Sequence, residues 1–230
     1  MMSPEFILLI AVGILGFVVQ AKLQSVFKKY SKVMFAGGMT GREVAEKMLR
    51  DNGITDVTVT HVAGKLTDHF NPATRTVNLS DSVYASNSVA AAAVAAHECG
   101  HAVQHAVGYA PLKVRSALVP VTQFSSSYAF LFLIAGIGLM YWANLPQFSW
   151  VFWVGIGMLS AAALFSIVTL PVEYNASSRA LAWLDDQHML SREQHAQASE
   201  ALSWAARTYL VAALAAVATI IYYLGFARRD

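Results

Sequence analysis

The sequence predicts an α-helical membrane protein that carries one small α+β domain. Composition is the first reason. Of 230 residues, 56% are hydrophobic and only 13% charged, with a mean hydropathy of +0.47, whereas a soluble domain carries about 25% charged residues. Segmentation is the second. The apolar residues gather in four runs, Phe6–Val19, Phe124–Ala143, Trp150–Leu170 and Tyr209–Phe226, and the last three approach the roughly 20 residues that cross a bilayer as a helix. The third reason is the stretch between the first two runs, where helical and strand periodicities alternate. The net charge of +2 and the lack of a basic stripe away from the membrane flanks exclude a nucleic-acid footprint.

Residues 1–21 form an N-terminal anchor. Phe6 to Val19 is short for a span, but Gln20, Ala21 and a snorkelling Lys22 extend it. The chain opens Met-Met-Ser-Pro-Glu with no positive leader and no small-residue cleavage site, so the anchor is read as uncleaved. Lys22, Lys28, Lys29 and Lys32 follow and place this flank in the cytoplasm.

Residues 22–122 make the cytoplasm-facing domain. Thr40-Gly41-Arg42-Glu43 reads as a capping box. Val44, Ala45, Met48 and Leu49 form the apolar face that follows, and Gly53 suits the helix end. Val57 to Val62 alternates as a strand. Leu66–Phe70 and Thr74–Ser80 read as a hairpin, with Arg75 to Leu79 as an edge strand. Asn87-Ser88 starts a long helix that Gly108 ends, and Pro111 to Val121, with Lys113 and Arg115, reads as interfacial. Residues 123–170 form a two-span hairpin with the uncharged turn 144–149. Residues 171–206 are cytoplasmic helices, the first opening at Pro171 and running to Leu184. Residues 207–230 are the last span.

The stretch that carries chemistry is His97-Glu98-Cys99-Gly100-His101. Two histidines four residues apart on a helix project from one face and can share a Zn²⁺ at about 2.0–2.1 Å. Glu98 can reach a water on that metal without displacing a ligand, which is the H-E-x-x-H pattern of zinc-dependent peptidases. The domain is therefore expected to be zincin-like, its motif helix packed on a small sheet or hairpin. Gly100 inside the helix lets another backbone or a substrate approach closely. Cys99, the single cysteine, reads as a small buried residue. His105 extends the row, but at about 12 Å along the axis from His97 it cannot bind the same ion; it reads as a polar contact for a neighbouring helix.

A catalytic zinc takes three protein ligands and keeps one position open. Two spans separate His101 from Pro171, so the chain returns to the face it left, and Glu173 lies on the side of the histidines. Lys and Arg counts agree: residues 22–115 hold 11 of the 16, and the 144–149 turn holds none. Arg228 and Arg229 oppose this orientation. Glu173 is the expected third ligand. His61, Asp68, His69, Asp185, Asp186 and Glu200 stand as rivals on the same side, with His69 foremost.

Four stretches together resemble the YugP-like neutral zinc metallopeptidases of bacterial membranes: Leu66-Thr67-Asp68-His69, Ala96 through His105, Tyr109-Ala110-Pro111-Leu112, and Leu170 through Ser177. The likeness covers nearly the whole chain. More distantly the chain is similar to the HtpX group of membrane peptidases, in which a glutamate after later spans completes the metal site. The resemblance implies one zinc per chain, Glu98 as base and Glu173 in the ligand set. The chain departs from those relatives at Asn175 and Ser177, where they often carry aspartate.

The expected function is thus a membrane-anchored zinc endopeptidase of the plasma or inner membrane, multi-pass, with its site facing the cytoplasm. Its partners are a protein or peptide substrate near the membrane and the lipid bilayer. Arg179 or His69 would stabilise the oxyanion. An intramembrane protease is disfavoured because Asn87, Ser88, His105 and Lys113 bracket the motif helix. The alternative from another class is a membrane scaffold or assembly factor that keeps zinc for stability alone, which would have no use for Glu98.

Overall fold

A computed structural model describes residues 2–227, the side chain of residue 226 excepted; Arg228 and Arg229 lie outside the described residues. In order, the elements are α1 (Pro4–Tyr30), α2 (Gly41–Asp51), β1 (Thr58–Val62), β2 (His69–Asn71), β3 (Thr76–Ser80), α3 (Asp81–Tyr84), α4 (Val89–Ala106), α5 (Ala110–Ile137), α6 (Ser149–Asp186) and α7 (Arg192–Ala227). A π-helical turn at Gly138–Trp142 and a 3₁₀ turn at Pro146–Phe148 join α5 to α6. The chain divides into two compact units.

One unit comprises Met1–Val18, Val114–Leu170 and Thr208–Asp230. Helices α1, α5, α6 and α7 each contain a stretch long and apolar enough to cross a membrane. Inside this unit the helices approach through small residues, as membrane helices do. A Cβ on Gly136 would lie 2.5 Å from the backbone nitrogen of Phe152, and one on Gly155 would lie 2.8 Å from Leu133. Leu133, Phe152 and Ile156 form the buried cluster at this crossing. Large apolar side chains such as Phe17, Phe130 and Trp142 point outward, the reverse of a soluble fold and the expected state of a surface solvated by lipid.

The other unit comprises Val19–Lys113 and Pro171–Arg207. Thr40 caps α2 with a complete capping box, its side chain accepting from the Glu43 N–H while the Glu43 carboxylate accepts from the Thr40 N–H. Gly53, at φ +68°, lets the chain turn away after Asn52. Val44, Ala45 and Met48 of α2 meet Val77 and Leu79 of β3 and the alanine-rich face of α4 in one core. Alanines at 90–93, 95 and 96 are all but inaccessible, so α4 is buried nearly all round, as its unbroken small-residue run requires.

The sheet has the order β1-β3-β2, with β1 parallel and β2 antiparallel to β3. The hairpin is thus present, but its second arm is the central strand and not an edge. Both faces of β3 are occupied. Val77 and Leu79 enter the core. On the other face Asn78 accepts from the Thr60 hydroxyl at 2.7 Å, and Ser80 donates through its amide and hydroxyl to Asp68 at 2.7 and 2.9 Å.

The stretch from Pro111 to Val121 is helical and continuous with the apolar run after it, since α5 runs unbroken through Pro120. One helix boundary differs from the sequence reading. No helix starts at Pro171, since that residue lies inside α6. A proline in a helix interior costs about 3 kcal/mol. Past it, Val172, Ala176, Ala180 and Leu184, four residues apart, form one wholly buried stripe.

Candidate metal centre

The site rests on α4 and on the stretch of α6 that follows Pro171. Ser88 fixes the start of α4 by accepting from the Ala91 N–H at 3.2 Å. Two turns further on, the rings of His97 and His101 stand 4.8 Å apart and nearly perpendicular, at 82°. Gly100 explains how α6 comes so close. A Cβ there would sit 2.6 Å from the carbonyl oxygen of Ala176, so the absent side chain admits a neighbouring backbone, one of the two approaches its place in the motif allows.

That approach carries Glu173 to the histidines. Its Oε2 lies 3.3 Å from His97 Nε2 and 3.6 Å from His101 Nε2. Its side chain is only 3% exposed, too little for solvation by water to hold it. Among the described residues these three form the group whose donor atoms lie within 4.8 Å of one another. Donors at 2.0–2.1 Å on a tetrahedral ion are separated by about 3.3 Å from one another, so the donor set fits zinc in type and in spacing.

Each imidazole is oriented through its other nitrogen. His97 Nδ1 lies 3.1 Å from Ser177 Oγ. His101 Nδ1 lies 3.0 Å from Gln104 Oε1; since an amide oxygen only accepts, His101 carries a proton there and turns Nε2 toward Glu173. Gln104 is wholly buried and donates in turn to the Val172 carbonyl at 2.8 Å and to Asn175 Oδ1 at 3.0 Å. It therefore ties one histidine to the helix that supplies the carboxylate. Burial opposes protonation of His101, but the hydrogen bond and charge of Glu173 outweigh it and raise its pKa.

Glu98 leaves an adjoining part of the α4 surface. It is buried, and burial raises its carboxyl above the ordinary range. Its Oε2 accepts from the backbone N–H of Phe70 at 3.0 Å, so β2 lies over the site. Phe70 also meets His105, ring centroids 5.8 Å apart. The ring contact of His105 is thus with a strand residue. Cys99 points into the core, its thiol pushed up by burial.

The other candidates are engaged elsewhere. Arg179 donates to Asn175 Oδ1 at 2.8 Å. His69 Nδ1 lies 2.8 Å from the Thr67 carbonyl. His61 pairs with Asp81 at 2.6 Å and Asp185 with His195 at 3.2 Å. The Tyr30 hydroxyl donates to Glu200. Asp68 is held by Ser80, and burial raises its pKa. None of these, nor Asp186, belongs to the converging group. Sequence reasoning missed Gln104 as an orienting residue. The signal was its place three residues after His101, on the same helix face.

A family model described as "Putative neutral zinc metallopeptidase" matches residues 5–228. The chain is 40% identical over 219 residues to a protein of Bacillus subtilis (strain 168) named "Putative membrane protease YugP", covering 95% of this chain and 94% of that one. No solved structure matches.

Proposed function

The chain belongs to the neutral zinc metallopeptidase family, and from that membership we propose that it is a membrane-anchored zinc endopeptidase with a zincin-like catalytic unit. One observation carries the proposal: two imidazole nitrogens and a buried carboxylate converge at zinc-ligand spacing, with a fourth group, Glu98, beside them and outside the donor set. His97, His101 and Glu173 would hold one zinc per chain. When bound, zinc polarises a carbonyl and acidifies water.

The remaining steps belong to the protein. Glu98 takes a proton from the attacking water and delivers it to the leaving amine, a task that suits a carboxyl whose pKa burial has raised toward the working pH. Ser177 and Gln104 hold the imidazoles so that Nε2 faces inward. With β3 central, the outer edge of β2 is the strand that would align an extended peptide beside Glu98, because the Phe70 N–H already points there. Glu173 follows the apolar run Trp150–Leu170 by three residues, which supports substrates close to the membrane surface. Lysines and arginines concentrated between residues 22 and 115 support a cytoplasmic site in the plasma or inner membrane.

The test is a comparison of wild type, Glu98→Gln and Glu173→Gln by elemental zinc analysis and by turnover of a casein-type substrate. Glu98→Gln should keep zinc and lose hydrolysis. Glu173→Gln should lose both while still inserting in the membrane. Hydrolysis surviving in Glu98→Gln would reject the peptidase assignment, and full zinc in Glu173→Gln would remove that residue from the ligand set.

A further inference from the structure

The edge of the sheet farthest from Glu98 is also exposed, and it borders a cavity. Strand β1 pairs on one side only, with β3. The Thr58 N–H donates to the Arg75 carbonyl at 3.0 Å, so Thr58 and Thr60 turn their peptide groups toward β3. Alternation then turns those of Val59 and His61 to the open side. A groove of about 500 Å³ runs between this edge and helix α2, within the 300–1,000 Å³ typical of ligand sites. Its floor is apolar, formed by Leu49, Ile54 and Val59, and its rim carries Arg42, Glu46 and Arg50.

Charge on that rim is unbalanced. Arg42 pairs with Glu46 at 2.7 Å, and the neighbouring Asp51 pairs with Lys47 at 2.7 Å. Arg50 is exposed, and among the described residues no carboxylate is hydrogen-bonded to it. A free strand edge, an apolar floor, a flanking helix and an exposed cation with no hydrogen-bonded counter-ion are what an extended peptide needs. The edge supplies backbone hydrogen bonds, the floor takes one side chain, and Arg50 takes an acid two positions away on the same face.

We propose that the groove between β1 and α2 binds an extended peptide segment by strand addition, selecting an apolar residue followed two positions later by an acidic one. The groove shares no residue with the metal centre and lies on the opposite edge of the sheet from β2, so it is a docking site distinct from the one where hydrolysis is proposed. It would hold a partner chain carrying that apolar-x-acidic segment outside the cleavage site. The binding itself does not depend on the peptidase reading.

The test uses the full chain in detergent, in the Glu98→Gln background so that no probe is cut, and reads fluorescence anisotropy. The probe is fluorescein-labelled Thr-Thr-Val-Thr-Asp-Thr-amide. Saturable binding is expected, undiminished by a zinc chelator. Methylating alternate backbone nitrogens of the probe, in either of the two possible sets, should weaken binding about tenfold in one set, the loss of two ordinary hydrogen bonds. Replacing the probe's Asp by Lys should weaken binding to the parent protein, and Arg50→Glu should reverse that preference. This reversal needs no loss of fold and so guards against a variant that merely misfolds. No saturable binding, equal binding of both methylated probes, no change of preference in Arg50→Glu, or displacement by the chelator would each overturn the proposal.

Discussion

Gln104 is the residue on which the two halves of the metal centre depend. It accepts from His101 and donates to Val172 and Asn175, so one side chain sets an imidazole tautomer and the position of the helix bearing Glu173. Gln104→Leu should therefore weaken zinc binding by about 10–100-fold, the usual cost of losing such a partner, as read by competition with a chelating dye. Ser177 holds His97 by a single bond. Ser177→Ala should weaken zinc less than Gln104→Leu, and Ser177→Asp should tighten it, because a carboxylate makes the imidazole a better donor. How legible these residues are depends on distance along the chain. His97 and His101 are neighbours by helical geometry alone. The nearness of Glu173 could be read by counting two spans and concluding that the chain returns, or from the family resemblance, and not from local periodicity. The partners of the second nitrogens are 80 residues away for Ser177 and three for Gln104, and periodicity does not say which polar side chain an imidazole will face.

At the scale of elements, Gly100 sets the spacing of α4 and α6. Intrinsic propensity favours Gly100→Ala by about 1 kcal/mol, yet the new methyl would press 2.6 Å from a backbone carbonyl that cannot rotate away. Overpacking of this kind costs about 1–3 kcal/mol, so the steric term wins. Gly100→Ala should lower the thermal midpoint and the zinc content together. A second prediction concerns α2. Asp51 accepts from Lys47 and from the Trp183 indole at 2.7 and 3.1 Å, and the Lys47 hydrogen bond, ahead of the Trp183 one, holds its pKa low despite partial burial. A lowered folded pKa means the stabilisation is present above the unfolded value of about 3.9 and is lost as pH falls through the folded value. Wild type and Asp51→Asn should differ in stability at pH 7 by under about 1 kcal/mol, read as a shift of the melting midpoint, and the difference should vanish on acidification. Helices were read well because their signals are local: the capping box, the Ser88 cap and the apolar runs. The order of the strands was not, since the parallel pairing of β1 with β3 is decided by contacts that no window of sequence contains. The hairpin alone made β3 look like an edge. Pro171 misled because its local preference for a helix start is only a preference, and α6 runs through it.

For the whole molecule, the four apolar helices and the basic flank of the first predict an orientation. In a background lacking Cys99, a cysteine at position 65 should be shielded from an impermeant thiol reagent in intact cells, and one at position 144 should react. The opposite pattern would invert the topology. The division of the donor set also has a consequence in time. From residue 101 to residue 173 the ribosome must add 72 residues, and at about 5–20 residues per second that takes about 4–14 s. Throughout that interval the nascent chain holds the motif helix but not the carboxylate of Glu173. On the function proposed above, a hydrolase whose ligand set closes only after its third apolar helix has been made would stay idle while its own unfolded segments, and those of its neighbours at the insertion machinery, are within reach.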